Sequence, residues 1–209
     1  SQGGQTIAPE ALFVDMSSFN KILKLNTKEK KITVQAGTTW RRIQEYIDPY
    51  NLSVKNMQSY SNFTVGGSLS VNAHGRYLGE GPIINSVQSI KIILADGSEV
   101  IASPEENSQI FYGAIGGYGA LGVITEATLE LTNNEKIAQS SRVFPIKEFD
   151  EYFIAHIKNN PHIVLANADI YLDNFEKTRM VIWFKTRAKL TTTNRLTPRD
   201  ENYFAKQRY

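Results

Sequence analysis

The 209-residue chain has no cysteine. Disulfide frameworks, thiolate nucleophiles and cysteine-ligated zinc or iron–sulfur centres are therefore excluded, and any redox chemistry needs a bound cofactor. No apolar run approaches the roughly 20 residues of a membrane-spanning helix, and Ser1 to Thr6 does not read as a signal peptide. A soluble, cytoplasmic protein without a membrane span is expected. An excess of one charge is lacking as well. The 23 Lys and Arg against 21 Asp and Glu leave a net +2, far from the concentrated basic surface of a nucleic-acid binder. Of the three histidines, His156 and His162 have no carboxylate at ligand spacing, so no metal site is expected. Neither the GxxxxGK pattern followed by Ser or Thr nor a GxGxxG between strand and helix occurs, which removes the P-loop and Rossmann readings.

What is present is the composition of a globular protein with a real core, 41% hydrophobic and 21% charged. Short strands are expected at Ala11–Asp15, Ile22–Leu25 and Ile32–Ala36. Thr38 or Thr39 can cap a helix whose Trp40, Ile43 and Ile47 share one face and which ends near Asp48-Pro49. An irregular stretch from Ser53 to Thr64 leads to a possible short helix at Gly66-Gly67. Val87–Leu94 and Glu99–Ala102 then flank Asp96-Gly97, a strong hairpin turn. Ser103-Pro104-Glu105-Glu106 has the form of a capping box with proline at the first helical position, before Ile110, Phe111, Ala114 and Ile115. Gly122–Leu131 alternates as a strand.

The pattern breaks in the polar connector Thr132–Lys136, and a second unit follows. A strand near Arg142–Phe144, a helix facing inward through Phe149, Phe153, Ile154 and Ile157, and strands at Ile163–Leu172 and Arg179–Lys185 imply an antiparallel sheet with helices on one side. The fold class is α+β in two domains, 1–134 and 135–209, with a polar tail from Lys189.

Glycines gather at Gly3-Gly4, Gly66-Gly67 and Gly116 to Gly122. Each group can be a turn, or a place where peptide N–H groups approach a ligand without a Cβ between them. In TVGGSLSVNAHG, Thr64 to Gly75, a helix starting at the glycines would aim amides at a pyrophosphate.

Five segments decide more than any glycine pair. SQGGQ at Ser1, ITVQAGTTW at Ile32, TVGGSLSVNAHG at Thr64, VQSIKIILADG at Val87 and NSQIFYGAIGGYGALGVITEATLEL at Asn107 stand in the order and spacing of one domain. Together they resemble the FAD-binding domain of the vanillyl-alcohol oxidase and p-cresol methylhydroxylase type, over Ser1 to about Leu131. The segments look most like cytokinin dehydrogenases and the decaprenylphosphoryl-ribose oxidases.

The resemblance implies FAD as cofactor and a substrate-binding cap after the FAD domain. It implies that Ser1 and Gln5 end the pyrophosphate loop, that Ser59, Thr64, Val65, Gly66 and Gly67 lie against the FAD, and that Ser70, Val71, Asn72, Ala73 and His74 follow the flavin. Val123 and Ile124 would hold the flavin or adenine through their backbones. The family's first subdomain, upstream of the loop, lies outside these residues, so this piece alone is expected to bind FAD weakly or not at all.

In cytokinin dehydrogenases the position matching Ser59 is an aspartate acting as catalytic base, and serine cannot take that role. His74-Gly75-Arg76 is similar to the His-Gly-Lys run lining the ribose-oxidase active site, which makes His74 and Arg76 the candidate catalytic residues. The expected activity is hydride transfer from an alcohol, polyol or related small substrate to flavin, with oxygen or another acceptor. The alternative is a non-catalytic or degenerate flavin- or nucleotide-binding module.

Overall fold

A computed structural model describes residues 9–10 and 13–191, which divide between two compact units. Of these residues, the first unit comprises those up to Gly75 together with Pro82–Asn134; the second takes Arg76–Gly81 and those from Glu135 to Thr191.

The strands of the first unit are β1 (Ile22–Asn26), β2 (Lys31–Gln35), β3 (Leu52–Val54), β4 (Val87–Leu94), β5 (Glu99–Ala102) and β6 (Gly122–Asn133). They form one antiparallel sheet in the order β1-β2-β6-β4-β5, with β3 paired to the far end of β6. Ile32 and Val34 of β2 lie opposite Leu129 and Ala127, which meet Val87 and Ile90 of β4 on the other side; Ile92 meets Ile124. Opposed residues point to the same face, so these eight side chains make one continuous apolar surface, and all are buried. A slip of one residue would turn a whole strand's apolar set to the wrong face, and this fixes the register.

Three helices supply further core. In α1 (Trp40–Ile47) the Thr39 hydroxyl accepts from Arg42 N, and Trp40, Ile43 and Ile47 are buried at the expected spacing. Helix α2 (Val65–Ser70) buries Val65 and Leu69, and α3 (Ser108–Ala114) buries Phe111 and Ala114. The β4–β5 hairpin turns at Asp96-Gly97, where Gly97 has φ +82° and the Asp96 carboxylate accepts from Ser98 N.

Three expectations need correction. The strand at Ala11–Asp15 does not form over Phe13–Asp15, where Asp15 instead accepts from Ser17 N in a local turn; Ala11 and Leu12 lie outside the described residues. The Ser103–Glu106 motif makes its hydrogen bonds, Ser103 Oγ accepting from Glu105 N and Glu106 N, yet it closes a turn through Ser103 N to Glu106 O. Helix α3 starts only after Asn107, whose left-handed φ of 51° interrupts any continuation. The stretch from Ser53 contains β3, too short to show alternation.

The second unit holds β7 (Ile137–Pro145), α4 (Phe149–His156), β8 (Ile163–Ile170) and β9 (Lys177–Lys185). Its sheet is antiparallel in the order β7-β9-β8. Phe144, Ile157, Ile163 and Met180 are the buried centre, with Phe149 and Phe153 of α4 packed on it. Ile154 was expected inside but is 64% exposed, because the inner row runs Phe149, Phe153, Ile157 at successive i+4 steps. Residues after Thr191, and with them most of the polar tail, lie outside the described residues.

Arg76–Gly81 runs along β8: Leu78 N donates to Val164 O, Ala166 N donates to Arg76 O, and Tyr77 faces Leu165. Desolvation there pushes the Tyr77 hydroxyl from about 10 up to about 12. A raised folded-state value means stability fully present below pH 10 and lost as pH rises through 12. The urea midpoint of the second unit is expected to fall across that interval, and Tyr77→Phe to flatten the fall. Equal slopes in the two proteins would contradict the assignment.

Candidate functional site

Helix α2 is glycine-rich and only six residues long, so partners outside it must hold it. Thr64 is its N-cap, accepting from Gly67 N at 3.3 Å. Val65 N donates to Thr38 O at 2.8 Å, Gly66 N to Ala36 O at 2.7 Å and Ser68 N to Thr64 O. A Cβ on Gly66 would stand 2.9 Å from Ala36 Cβ, so glycine is what allows the approach. All of the first four amides are therefore engaged by protein. The expected cradle of free N–H groups at the start of α2 is closed, and any anion beside it must be met by other groups.

The other end of α2 is fixed by the third glycine segment. Gly116 N donates to Leu69 O and Tyr118 N to Ser70 O, both at 2.9 Å, while Asn72 N and Ala73 N donate to Leu69 O and Ser68 O. Asn72 is left-handed (φ 45°), and its Oδ1 accepts from Ile84 N at 3.2 Å. The β2–α1 loop is tied in turn to β6, with Ala36 N donating to Thr125 O at 2.8 Å. Thr125 is skipped in the ladder, where Lys91 pairs Glu126 and Ile92 pairs Ile124, so β6 carries a bulge beside Val123 and Ile124. The register with β2 ends at Glu126, and among the described residues no strand lies along that edge of Val123–Ile124. Ala36–Thr38, Thr64–Ala73, Gly116–Tyr118 and the start of β6 are thus brought together within the first unit.

The remaining expected residues are placed as follows. Ser59 is exposed, next to buried Gln58. Val71 is exposed, and Ile124 is buried while Val123 is not. His74 is exposed, with Nδ1 in a long 3.4 Å contact to Gly75 O. Arg76 belongs to the second unit, its guanidinium 5.9 Å from the centroid of the Trp183 ring. Ser1 and Gln5 lie outside the described residues.

A buried polar chain was missed in the sequence. Trp40 Nε1 donates to Ser68 Oγ at 2.9 Å, Ser68 Oγ lies 2.9 Å from Gln58 Oε1, and Gln58 Nε2 donates to Tyr60 O. It locks α1, α2 and the backbone beside Ser59 into one arrangement. The signal was the Ser68 hydroxyl on the apolar side of a helix, which needs a partner when buried.

A flavin dinucleotide needs donors for its phosphates and open ground for its ring. The hydroxyls of Ser59, Thr64 and Ser70 donate to no protein group among the described residues and are free to meet phosphate or ribityl oxygens. Gly67, Val71 and His74 are exposed, and the β6 edge offers peptide groups. The residues present fit the cofactor in this form, through hydroxyls and a strand edge and not through a helix amino end.

Residues 1–103 match the FAD binding domain family. Over 150 residues the chain is 27% identical to the mitochondrial L-galactono-1,4-lactone dehydrogenase of Arabidopsis thaliana, covering 72% of this chain and 25% of that protein. It is 32% identical over 143 residues to cytokinin dehydrogenase 9 of Oryza sativa subsp. japonica, covering 67% and 27%. To L-gulonolactone oxidase of Bos taurus it is 24% identical over 153 residues, covering 73% and 35%. The chain spans a quarter to about a third of the length of these relatives.

Proposed function

From the match of residues 1–103 to the FAD binding domain family, we propose that the chain is the cofactor-holding part of an FAD-dependent oxidoreductase acting on a hydroxyl-bearing carbon. The substrate class is an alcohol, polyol or sugar lactone. Bound flavin supplies the two-electron acceptor. The observation that carries the reading is the direct bonding of three family segments around α2: Gly66 N to Ala36 O, and Gly116 N and Tyr118 N to Leu69 O and Ser70 O.

Within this reading each residue has a task. Ser59, Thr64 and Ser70 donate hydroxyl protons to phosphate or ribityl oxygens, and Val123 and Ile124 offer backbone groups at the bulged edge. Asn72, held left-handed and bonded to Ile84 N, sets the path of the chain to His74. His74 can take the proton of the substrate hydroxyl as the carbon is oxidised, and Arg76 supplies positive charge for an acidic substrate or flavin anion. Lactone and polyol oxidation is favoured over cytokinin oxidation because Ser59 offers no carboxylate base.

The test is the full-length protein. It is expected to purify yellow and to bleach with a polyol or aldonolactone; a colourless protein that takes up no FAD would sink the reading and leave a binding module of another kind. His74→Ala is expected to keep its FAD and melting temperature while kcat falls roughly 10²- to 10⁴-fold, the usual range for removing an acid–base group. Unchanged turnover would remove His74 from the mechanism.

A further inference from the structure

We propose that the second unit carries its own pocket for a small organic carboxylate with a planar apolar body, a ligand the flavin reading does not call for. A cavity of about 410 Å³ opens there, within the size range of small-molecule sites. Its lining combines Arg142, His156 and His162 with the apolar side chains of Ile157, Ile182 and Phe184; Arg142 lies on the same face of the sheet as Ile182 and Phe184. No aspartate or glutamate lines it.

The positive charge in the lining is the Arg142 guanidinium, and it is unspent. Arg142, on β7, holds its guanidinium 5.1 Å from the centroid of the Tyr152 ring and makes no ion pair or hydrogen bond among the described residues. The contact over the ring leaves the N–H donors for a ligand, and a guanidinium fork suits a bidentate carboxylate. The Tyr152 ring in turn lies 4.8 Å from that of His156.

Asn160 orders the turn between the two imidazoles: its Nδ2 donates to His156 O at 3.3 Å and its Oδ1 accepts from His162 N at 3.0 Å. Lys185 N, donating to His162 O, ties the same turn to the end of β9. Neither imidazole makes a side-chain hydrogen bond among the described residues. Two imidazoles without a carboxylate are a poor cation site, and no cluster of metal-ligating side chains exists among the described residues. They are good donors to an anion. The apolar wall selects an organic acid over a bare inorganic ion, since phosphate alone would leave Ile182 and Phe184 without a partner.

The probes are benzoate, benzamide and inorganic phosphate, titrated calorimetrically into the full-length protein. Location is read from protection of imidazoles against diethyl pyrocarbonate, measured peptide by peptide. Benzoate is expected to bind saturably at least tenfold tighter than benzamide and to protect His156 and His162 while leaving His74 unprotected. Arg142→Gln is expected to weaken benzoate at least tenfold with an unchanged melting temperature, and Arg142→Lys to weaken it less. Four results would each overturn the proposal: no saturable benzoate binding, benzamide binding as tightly, phosphate binding more tightly than benzoate, or an Arg142→Gln protein that binds like the parent. The flavin content of the same samples tests the oxidoreductase reading separately, because none of these residues takes part in it.

Discussion

Gly122→Ala is expected to destabilise the first unit by on the order of 3 kcal/mol, near the upper end for a single added methyl. Gly122 has φ +152°, and a Cβ there would stand 2.1 Å from Ile93 O and 3.1 Å from Leu94 Cα. Those atoms are backbone of β4, which pairs Ile93 with Val123 and Leu94 with Gly122. No side-chain rotation relieves the clash, so the start of β6 must leave β4, and Val123 and Ile124 move with it. Gly97→Ala is the control. It has φ +82° with nothing within 4 Å of its Cβ, so it carries the backbone penalty alone, about 1 kcal/mol. Urea denaturation of both variants isolates the steric part, and equal losses would refute it. Flavin content is expected to fall with Gly122→Ala only.

The second large effect is Trp40→Ala, about 3 to 5 kcal/mol. Trp40 is 1% exposed and is among the largest fully buried side chains. Its removal opens a cavity between α1 and the sheet and also takes the donor from Ser68 Oγ. Trp40→Phe separates the two losses: most of the volume stays and the N–H goes, for about 1 to 2 kcal/mol. The chain has two tryptophans, so a Trp183→Phe background makes Trp40 the sole fluorescent reporter of the first unit in the parent. A Phe variant as damaged as the Ala variant would show that the hydrogen-bonded chain, and not the volume, dominates.

Much of the architecture was legible because period decides face. Ile32 and Val34 alternate, Trp40, Ile43 and Ile47 step along a helix, and Asp96-Gly97 can hardly be anything but a turn; each forms as expected. The errors arise where a local signal competes with backbone geometry. Ser103 makes capping bonds, but a left-handed Asn107 stands between it and the helix.

The candidate site was half legible. The short helix at Gly66-Gly67 follows from its neighbours, but the acceptors of the Val65 and Gly66 amides are Thr38 and Ala36, a strand and a helix earlier in the chain. Long-range partners of that kind have no periodicity to betray them. Arg76 is similar: two residues from His74 in sequence, it belongs to another unit because its carbonyl completes the edge of β8. His156 and His162 read in the sequence only as poor metal ligands, because it is the end of α4 and the turn at Asn160 that bring them to the cavity Arg142 also lines.

The loan of Arg76–Gly81 to the second unit has a consequence for anyone who would express that unit by itself. Cutting the gene at the Asn134–Glu135 boundary looks natural, yet it discards the backbone that occupies the outer edge of β8 and the Leu78 side chain that packs against the unit's buried cluster. The excised piece would present the bare amide of Ala166 and carbonyl of Val164 to any passing chain, an invitation to edge-to-edge aggregation. During synthesis the same dependence runs the other way. The six residues leave the ribosome long before β8 exists, and must wait unpaired for a strand encoded about ninety positions later.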